Sequence, residues 1–292
     1  MTTLLDCIRQ AGKLISVEDA EAIRELTREF GGGQAGAVQA TQQLVHDLHQ
    51  QKMRLVDQIA AAGGNPDEWI DRLDMSEIEF NSQLNELGQQ LEREFADWLT
   101  TKTWDEVKEI YAQMDGQNDP WHENTHNGKV LNADAFRELA ERYRTDRSLA
   151  DAFHEPGSAG IKKMFRELLA LPAMKDEVWL FTSGGPASGK SSGLGLSEWS
   201  DPATIIYDGV LGNFQKDDAT KIEKTLNSGR NVAIMHAYYD PVMAITGSLL
   251  RANKMEMETG VPGRPVLIDN FVGGTVGANV AIRQFIEKYK SD

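Results

Sequence analysis

The sequence contains a single cysteine, Cys7, so the chain cannot form an internal disulfide and suits a reducing compartment. Its apolar runs are short, and none approaches the roughly 20 residues that a membrane-spanning helix needs. The N-terminus lacks the basic segment and apolar run of a secretory signal. Proline accounts for only 9 residues and 40% of the chain is hydrophobic, which is an ordinary globular composition. These observations predict a cytoplasmic protein with no membrane partner.

Negative charge is concentrated in the first half of the chain. Residues 1–128 carry 24 acidic and 10 basic side chains, whereas residues 129–292 carry 21 acidic and 20 basic ones. Such an acidic surface repels the phosphates of nucleic acids at long range, so we expect no nucleic-acid partner. The charge fits either a set of well-solvated helices or a surface that meets a basic partner.

Residues 1–115 have the apolar periodicity of helices. The stretches 35–61 and 76–100 place apolar side chains at helical spacing, which is the stripe of a helix that packs against other helices. In the second stretch the stripe consists of Phe80, Leu84, Leu87, Leu91, Phe95 and Trp98. We therefore expect an acidic helical bundle or coiled-coil domain over 1–115, followed by a polar linker at 116–128.

The remainder of the chain, 129–292, alternates short apolar runs with helical segments. The runs are KVLNADAF, EVWLFTS, ATIIYD and NVAIMHAYY, and the helical segments are 134–150, 157–170, 216–228 and 240–258. Strands that alternate with helices indicate a mainly parallel sheet with helices on both faces. The predicted fold class is therefore an α/β domain that follows an all-α domain.

Residues 184–191 read GGPASGKS, which matches the phosphate-loop pattern G-x-x-x-x-G-K-[ST]. Glycines let the backbone turn around an anion with its N–H groups pointing inward. Because the motif directly follows the apolar strand VWLF, we expect ATP or GTP to bind there with Mg²⁺. The alternative is a glycine-rich turn without a ligand. The residues expected to bind the nucleotide are Gly184, Gly185, Ser188, Gly189, Lys190, Ser191 and Ser192.

Three polar side chains are candidates for the chemistry at this loop. Lys190 can reach the β- and γ-phosphates, and the hydroxyl of Ser191 can ligate Mg²⁺. The strand TIIYD ends in Asp208, and ligands of such sheets bind at the carboxyl ends of the strands. Asp208 is therefore expected to hold the metal or a substrate hydroxyl. The alternative is that Asp208 caps the turn at Gly209.

Several segments together resemble the zeta toxin family of P-loop kinases. They are VLNADAFRELAERYR, HEPGSAGIKKMFRELL, WLFTSGGPASGKSS, IIYDGVLGNFQKDDATKIEKTLNSGRNVAIMHAYYDP, LLRANKM and GVPGRPV. The resemblance covers roughly 130–285. It implies a P-loop kinase-like fold and a small-molecule kinase that uses ATP or GTP to phosphorylate a hydroxyl of a sugar nucleotide, such as UDP-N-acetylglucosamine, or of a related nucleotide.

The resemblance also implies catalytic roles for Lys190 and for four charged residues. Asp134, in NADAFR, matches the acid that takes the proton from the substrate hydroxyl, and Asp208 matches an acid at the end of the later strand. Arg251, in LLRANKM, and Arg264, in GRPV, match two arginines that neutralise the migrating phosphoryl group. From the residues alone, Asp134 also suits a helix cap, Arg251 a solvated helix residue and Arg264 a turn residue.

The sequence departs from the family pattern in three ways. NADAFR precedes the phosphate loop instead of following it, which looks like a circular permutation. Val210 stands where members usually have threonine, and Gly193, Gly195 and Pro202 interrupt the helix after the loop. These departures keep a second function class open, in which a nucleotide-binding module or a degenerate kinase acts as an interaction or scaffold protein.

The resemblance implies a regulatory partner as well. Zeta-like toxins are commonly held in check by a small helical antitoxin that covers the nucleotide site. A separate antitoxin-like helical partner, or the acidic N-terminal half acting in cis, would fill this role here. The alternative is an N-terminal half that only scaffolds or recruits a partner.

Overall fold

The computed structural model describes residues 54, 57–58, 60–63, 71–114, 125–171, 173, 176–194, 203–264, 266 and 268–290. Residues 73–102 and 106–292 form one compact unit, and residues 1–72 with 103–105 form another. Most of the unit formed by residues 1–72 and 103–105 lies outside the described residues. So does most of the predicted helix at 35–61, and so does most of the predicted linker at 116–128. The helical domain expected over 1–115 therefore stays a prediction.

A four-stranded sheet forms the centre of the larger unit. Its strands are β1 (Val130–Asn132), β2 (Val178–Ser183), β3 (Ile205–Asp208) and β4 (Asn231–His236). They lie in the order β1-β3-β2-β4, and every neighbouring pair is parallel. The prediction of an α/β fold with a parallel sheet is confirmed, and each strand lies within one of the predicted apolar runs. Because the strands are parallel, their carboxyl ends share one edge of the sheet.

Nine α-helices are assigned among the described residues from 71 onward. They are α1 (Glu86–Thr101), α2 (Trp104–Gln113), α3 (Ala133–Arg137), α4 (Glu141–Thr145), α5 (His154–Ala170), α6 (Lys190–Leu194), α7 (Ala219–Asn227), α8 (Pro241–Thr259) and α9 (Ile268–Tyr289). Short 3-10 helices at Met75–Glu77 and Arg147–Phe153 and a π-helical turn at Phe214–Asp218 complete them. None of the described helices is long and apolar enough to cross a membrane.

Two of the predicted helices differ from the observed ones. The segment 134–150 is not one helix but α3, α4 and the start of a 3-10 helix, because the chain is extended at Ala140 and again at Asp146. The helix predicted at 76–100 begins only at Glu86, where the side chain of Asn85 accepts a hydrogen bond from the Gly88 N–H at 2.8 Å. A side chain that satisfies a free N–H in this way fixes a helix start.

This later start changes the buried face of α1. Phe80 precedes the helix and is exposed, and so is Leu87 in the first turn. The buried apolar positions of α1 are Leu91, Phe95, Ala96 and Leu99. Of the apolar stripe predicted at 76–100, Leu91 and Phe95 are therefore buried, Leu84 and Trp98 are half-buried, and Phe80 and Leu87 are exposed.

Aromatic side chains fill the core between β2 and α5. The ring of Phe165 on α5 lies edge-on to Trp179, Phe181 and Tyr207, at centroid distances of 5.5, 6.4 and 5.5 Å. Side chains alternate along a strand, so Leu180 faces the opposite side of the sheet, where it packs with Val130. Burial on both faces explains why the sequence of β2 is continuously apolar.

A buried arginine ties the end of α5 to the sheet. Nε of Arg230 lies 3.1 Å from Oε2 of Glu177, and the guanidinium lies over the ring of Trp179 at 5.0 Å. The same guanidinium donates to the carbonyl oxygens of Leu168 and Leu171 at 3.2 and 2.7 Å. It thereby satisfies carbonyl groups that the C-terminal end of a helix leaves without partners.

Candidate functional site

The glycine-rich loop follows β2 directly and leads into α6, as the motif requires. Gly184 and Gly189 have φ angles of +139° and +85°. A Cβ atom at Gly184 would lie 2.4 Å from the carbonyl oxygen of Ala237, so only glycine fits there. The N–H of Gly184 donates to the carbonyl oxygen of Val210 at 3.1 Å, which joins this loop to the one that follows β3.

The lysine of the motif lies against the loop itself. Nζ of Lys190 donates to the carbonyl oxygens of Gly184 and Gly185 at 3.2 and 3.1 Å. Ser191 is exposed at the start of α6. The hydroxyl of Ser188 is buried and has no hydrogen-bond partner among the described residues. A buried hydroxyl without a partner costs about 1–3 kcal/mol, and an oxygen of a bound anion would supply the missing bond.

Asp208, at the end of β3, has a hydrogen bond on each carboxylate oxygen. Oγ1 of Thr182 donates to Oδ1 at 2.5 Å, and Nδ2 of Asn132 donates to Oδ2 at 2.7 Å. The backbone N–H of Gly209 donates to Thr182 at 3.0 Å. The turn at Gly209 is therefore capped by Thr182, not by Asp208, and the Asp208 carboxylate is held in place at the edge of the sheet.

Asp134, in the first turn of α3, is paired with two arginines. Its Oδ1 contacts Nη2 of Arg137, and its Oδ2 lies 2.7 Å from Nη1 of Arg264. The side chain that caps α3 belongs to Asn132, whose Oδ1 accepts from the N–H of Asp134 at 2.6 Å. Asp134 is thus not the helix cap, and its carboxylate is directed to cations at the carboxyl edge of the sheet.

The structure brings some of the expected site residues together and leaves one apart. Asp134, Arg264 and Asp208 are joined through direct contacts and through Asn132. Arg251 is exposed on α8 and has no hydrogen bond or ion pair with any described residue. It therefore occupies the position of a solvated helix residue in this structure.

The residues that would hold Mg²⁺ are hard oxygen donors, as that ion prefers. Ser191 supplies a hydroxyl and Asp208 supplies a carboxylate. Each carboxylate oxygen of Asp208 accepts one hydrogen bond and has a further lone pair that could bind a metal ion. The described residues contain no cluster of three or more carboxylate, histidine or cysteine side chains that could hold a metal alone. This donor set fits a magnesium ion that is bound mainly by nucleotide phosphates and water.

Helix α9 lies against the glycine-rich loop, a contact that the sequence analysis did not predict. A Cβ atom at Gly185 would lie 2.3 Å from Oγ1 of Thr275, and one at Gly274 would lie 2.8 Å from Cδ of Pro186. The small residues of GGTVG permit this close approach. These small residues were the sequence signal for the contact between α9 and the loop. They did not identify it, because small residues occur in helices for several other reasons.

A chain of hydrogen bonds also joins α9 to the start of the loop. Nδ2 of Asn279 donates to the carbonyl oxygen of Thr275 at 2.9 Å, so its Oδ1 is the acceptor for Nε2 of His236, 3.2 Å away. Nδ1 of His236 is hydrogen-bonded to Oγ of Ser183 at 3.0 Å. Ser183 immediately precedes Gly184, so α9 and β4 both support the loop.

No protein-family model matches this chain, and no curated protein matches it either. The resemblance to zeta toxins therefore rests on the quoted segments and on the chemistry of the residues. The expectation that the N-terminal half acts in cis concerns residues that lie mostly outside the described ranges. The expectation of a separate antitoxin-like partner stays a prediction.

Proposed function

We propose that the chain is an ATP- or GTP-dependent small-molecule kinase that resembles the zeta toxins. It transfers the γ-phosphoryl group to a hydroxyl of a sugar nucleotide or a related nucleotide. One observation carries the proposal. The glycine-rich loop with Lys190, and the two acids Asp134 and Asp208, lie at the carboxyl ends of three neighbouring parallel strands. Phosphoryl transfer needs this combination of an anion cradle, cations and a proton acceptor.

Each residue has a role in the proposed reaction. The acceptor oxygen forms a bond to the γ-phosphorus, the bond from that phosphorus to the bridging oxygen breaks, and the nucleoside diphosphate leaves. The proton of the acceptor hydroxyl passes to Asp134. Lys190 contacts the phosphates, and Arg264 contributes positive charge beside Asp134. Ser191 and Asp208 would hold Mg²⁺, which supplies further positive charge to the phosphates.

The test is the release of ADP from ATP and Mg²⁺ by the purified full chain, with and without UDP-N-acetylglucosamine and other nucleotides. A kinase releases ADP only when an acceptor is present, and mass spectrometry then identifies the phosphorylated product. Lys190→Ala serves as the inactive control. If ATP binds but no acceptor among sugar nucleotides and related nucleotides gains a phosphoryl group, the proposed activity is wrong.

A nucleotide-binding module is the second candidate function. Two observations favour it: Arg251 lies on an exposed helix face, and the Asp134 carboxylate is already paired with arginines. In that case the P-loop holds a nucleotide as a structural or switching ligand. The same experiment separates the two candidates, because a binding module retains ATP and releases no ADP with any acceptor.

A further inference from the structure

One side chain, that of Asn132, touches both proposed acids. Asn132 ends β1 and is paired in register with Asp208 on β3. Its Nδ2 donates to Oδ2 of Asp208 at 2.7 Å. Its Oδ1 accepts from the backbone N–H of Asp134 at 2.6 Å and from that of Ala135 at 3.3 Å. The amide therefore bridges the carboxylate of one acid and the backbone of the other.

Asn132 is itself held by a buried tyrosine. The hydroxyl of Tyr111 accepts from the backbone N–H of Asn132 at 3.1 Å and donates to the carbonyl oxygen of Val130 at 2.7 Å. Tyr111 is fully buried. These bonds fix the end of β1, so the Asn132 amide projects from a rigid position.

Helix capping alone does not require an amide at this position. Asparagine, aspartate and serine cap helices about equally well, because each offers an oxygen to the free N–H groups. Only the amide adds a nitrogen donor for the Asp208 carboxylate. Aspartate would place a second carboxylate against Asp208, and serine is too short to reach it. The contact with Asp208 thus separates a positioning role from a capping role.

We infer that Asn132 is a positioning residue that fixes the Asp208 carboxylate and the first turn of α3, with Asp134, relative to each other. The kinetic consequence of this inference rests on the proposed function, whereas its structural consequence does not. In the proposed reaction, Asp134 accepts the proton of the acceptor hydroxyl and Asp208 would bind the metal. A bridge between them sets the distance from the acceptor to the phosphate, and misplacement of reacting groups reduces the rate steeply.

The kinetic test compares Asn132→Ser with Asn85→Ser in the full chain. Asn85 caps α1 through the N–H of Gly88, so both substitutions exchange one helix cap for another. Asn85→Ser should lose little stability on thermal unfolding, and Asn132→Ser should lose more, because it also removes the hydrogen bond to the Asp208 carboxylate. We expect kcat to fall only in Asn132→Ser, by about 10- to 100-fold, as for other residues that orient metal ligands. The affinity for ATP, measured without acceptor, should be unchanged.

A second measurement does not depend on turnover. The carboxyl carbon of Asp208 is followed by ¹³C NMR in aspartate-labelled protein, and Asp208→Asn identifies its signal. We expect the signal to shift in Asn132→Ser and not in Asn85→Ser, because only the first substitution removes a donor from Asp208. An unshifted signal overturns the inference, and so does a shifted signal with an unchanged kcat.

Failure of the proposed function and failure of the Asn132 inference give different experimental results. If the unaltered chain binds ATP but phosphorylates no acceptor, the proposed function fails, and the Asp208 signal alone then decides the structural inference. If the chain is an active kinase and Asn132→Ser retains its full kcat, the proposed function stands and the inference fails. Asn132→Asp provides a further check, since it keeps the cap but replaces the donor with a charge that repels Asp208, so it should lower kcat at least as far as serine does.

Discussion

Nη1 of Arg264 lies 2.7 Å from Oδ2 of Asp134. The residue expected to accept a proton and a residue expected to neutralise the phosphoryl group are thus partners of each other. Their side chains are only 20% and 31% exposed, and Asp134 keeps its contact with the buried Arg137 on its other carboxylate oxygen. If an acceptor hydroxyl displaced Arg264, the Asp134 carboxylate would therefore retain one cationic partner. In the proposed reaction, this contact would keep Arg264 beside the acceptor hydroxyl.

Substitution of Asp134 tests the proton acceptor. We expect Asp134→Asn to retain its affinity for ATP and to lose phosphoryl transfer, because a general base acts on the acceptor and not on the nucleotide. Calorimetry gives the affinity, and ADP release gives the transfer rate. Asp97→Asn, at an exposed position of α1, is the matched control. Full transfer by Asp134→Asn would eliminate Asp134 as the base.

Removal of the phosphate-loop lysine tests the nucleotide site. Nζ of Lys190 donates hydrogen bonds to carbonyl oxygens of the loop, so it would be within reach of a phosphate bound there. Charge-assisted hydrogen bonds are worth about 1.5–3 kcal/mol, so Lys190→Ala should weaken ATP binding by about tenfold or more. Lys224→Ala on α7, where the lysine is exposed, should bind ATP normally. Equal affinities in calorimetry would show that ATP binds elsewhere.

The sequence predicted the elements of this site better than the contacts between them. Four apolar runs located the four strands, and the loop motif located a glycine-rich loop between β2 and α6, because both signals are local. The partnership of Asn132 and Thr182 with Asp208 depends on the register of β1, β2 and β3, which residues far apart in the chain determine. Asn132 was present in the quoted NADAFR segment, but only the sheet places its amide beside Asp208.

Helix boundaries were less predictable from the sequence than strand positions. The apolar spacing from Phe80 to Trp98 is continuous, yet the helix starts at Glu86, because Asn85 offers its side chain to the Gly88 N–H. Periodicity reports which face of a helix is apolar, whereas a single capping bond decides where the helix begins. The start of α3 at Ala133 is likewise set by a capping bond, to the side chain of Asn132.

Two neighbouring glycines of α9 provide a test of its contact with the phosphate loop. A Cβ atom at Gly274 would lie 2.8 Å from Cδ of Pro186, whereas one at Gly273 would have no atom within 4 Å. Alanine favours a helix over glycine by about 1 kcal/mol, so Gly273→Ala should stabilise the protein by up to that amount. Gly274→Ala should be less stable than Gly273→Ala by about 1–3 kcal/mol, because it overpacks the contact.

Chemical unfolding measures this difference in stability, and ATP affinity provides a second readout. Gly274→Ala should also bind ATP more weakly, because the added methyl group would displace Pro186, which belongs to the glycine-rich loop. Gly273→Ala should bind ATP as the unaltered chain does. Equal stability and equal affinity for the two variants would contradict the packing of α9 on the loop.

Glu92 provides a test of stability against pH. Its side chain is buried in α1, with 1% of the residue exposed, and accepts the N–H of Asn81 at 3.1 and 3.2 Å. Burial raises the pKa of Glu92 above its usual value of 4.5, and the bond from Asn81 offsets only part of this effect. Between the usual and the raised pKa, the folded chain binds more protons than the unfolded chain. The free energy of unfolding that Glu92 contributes therefore falls as pH rises through this window.

Glu92→Gln removes the titration but keeps an acceptor for Asn81. The free energy of unfolding of the unaltered chain minus that of Glu92→Gln should fall as pH rises from 4.5 and should level off above the raised pKa. Denaturant unfolding at a series of pH values measures this difference. Glu94→Gln, on the exposed side of α1, is the matched control and should not reproduce this fall. A difference that grows with pH would mean that the folded chain stabilises the Glu92 carboxylate, because a depressed pKa gives the opposite slope.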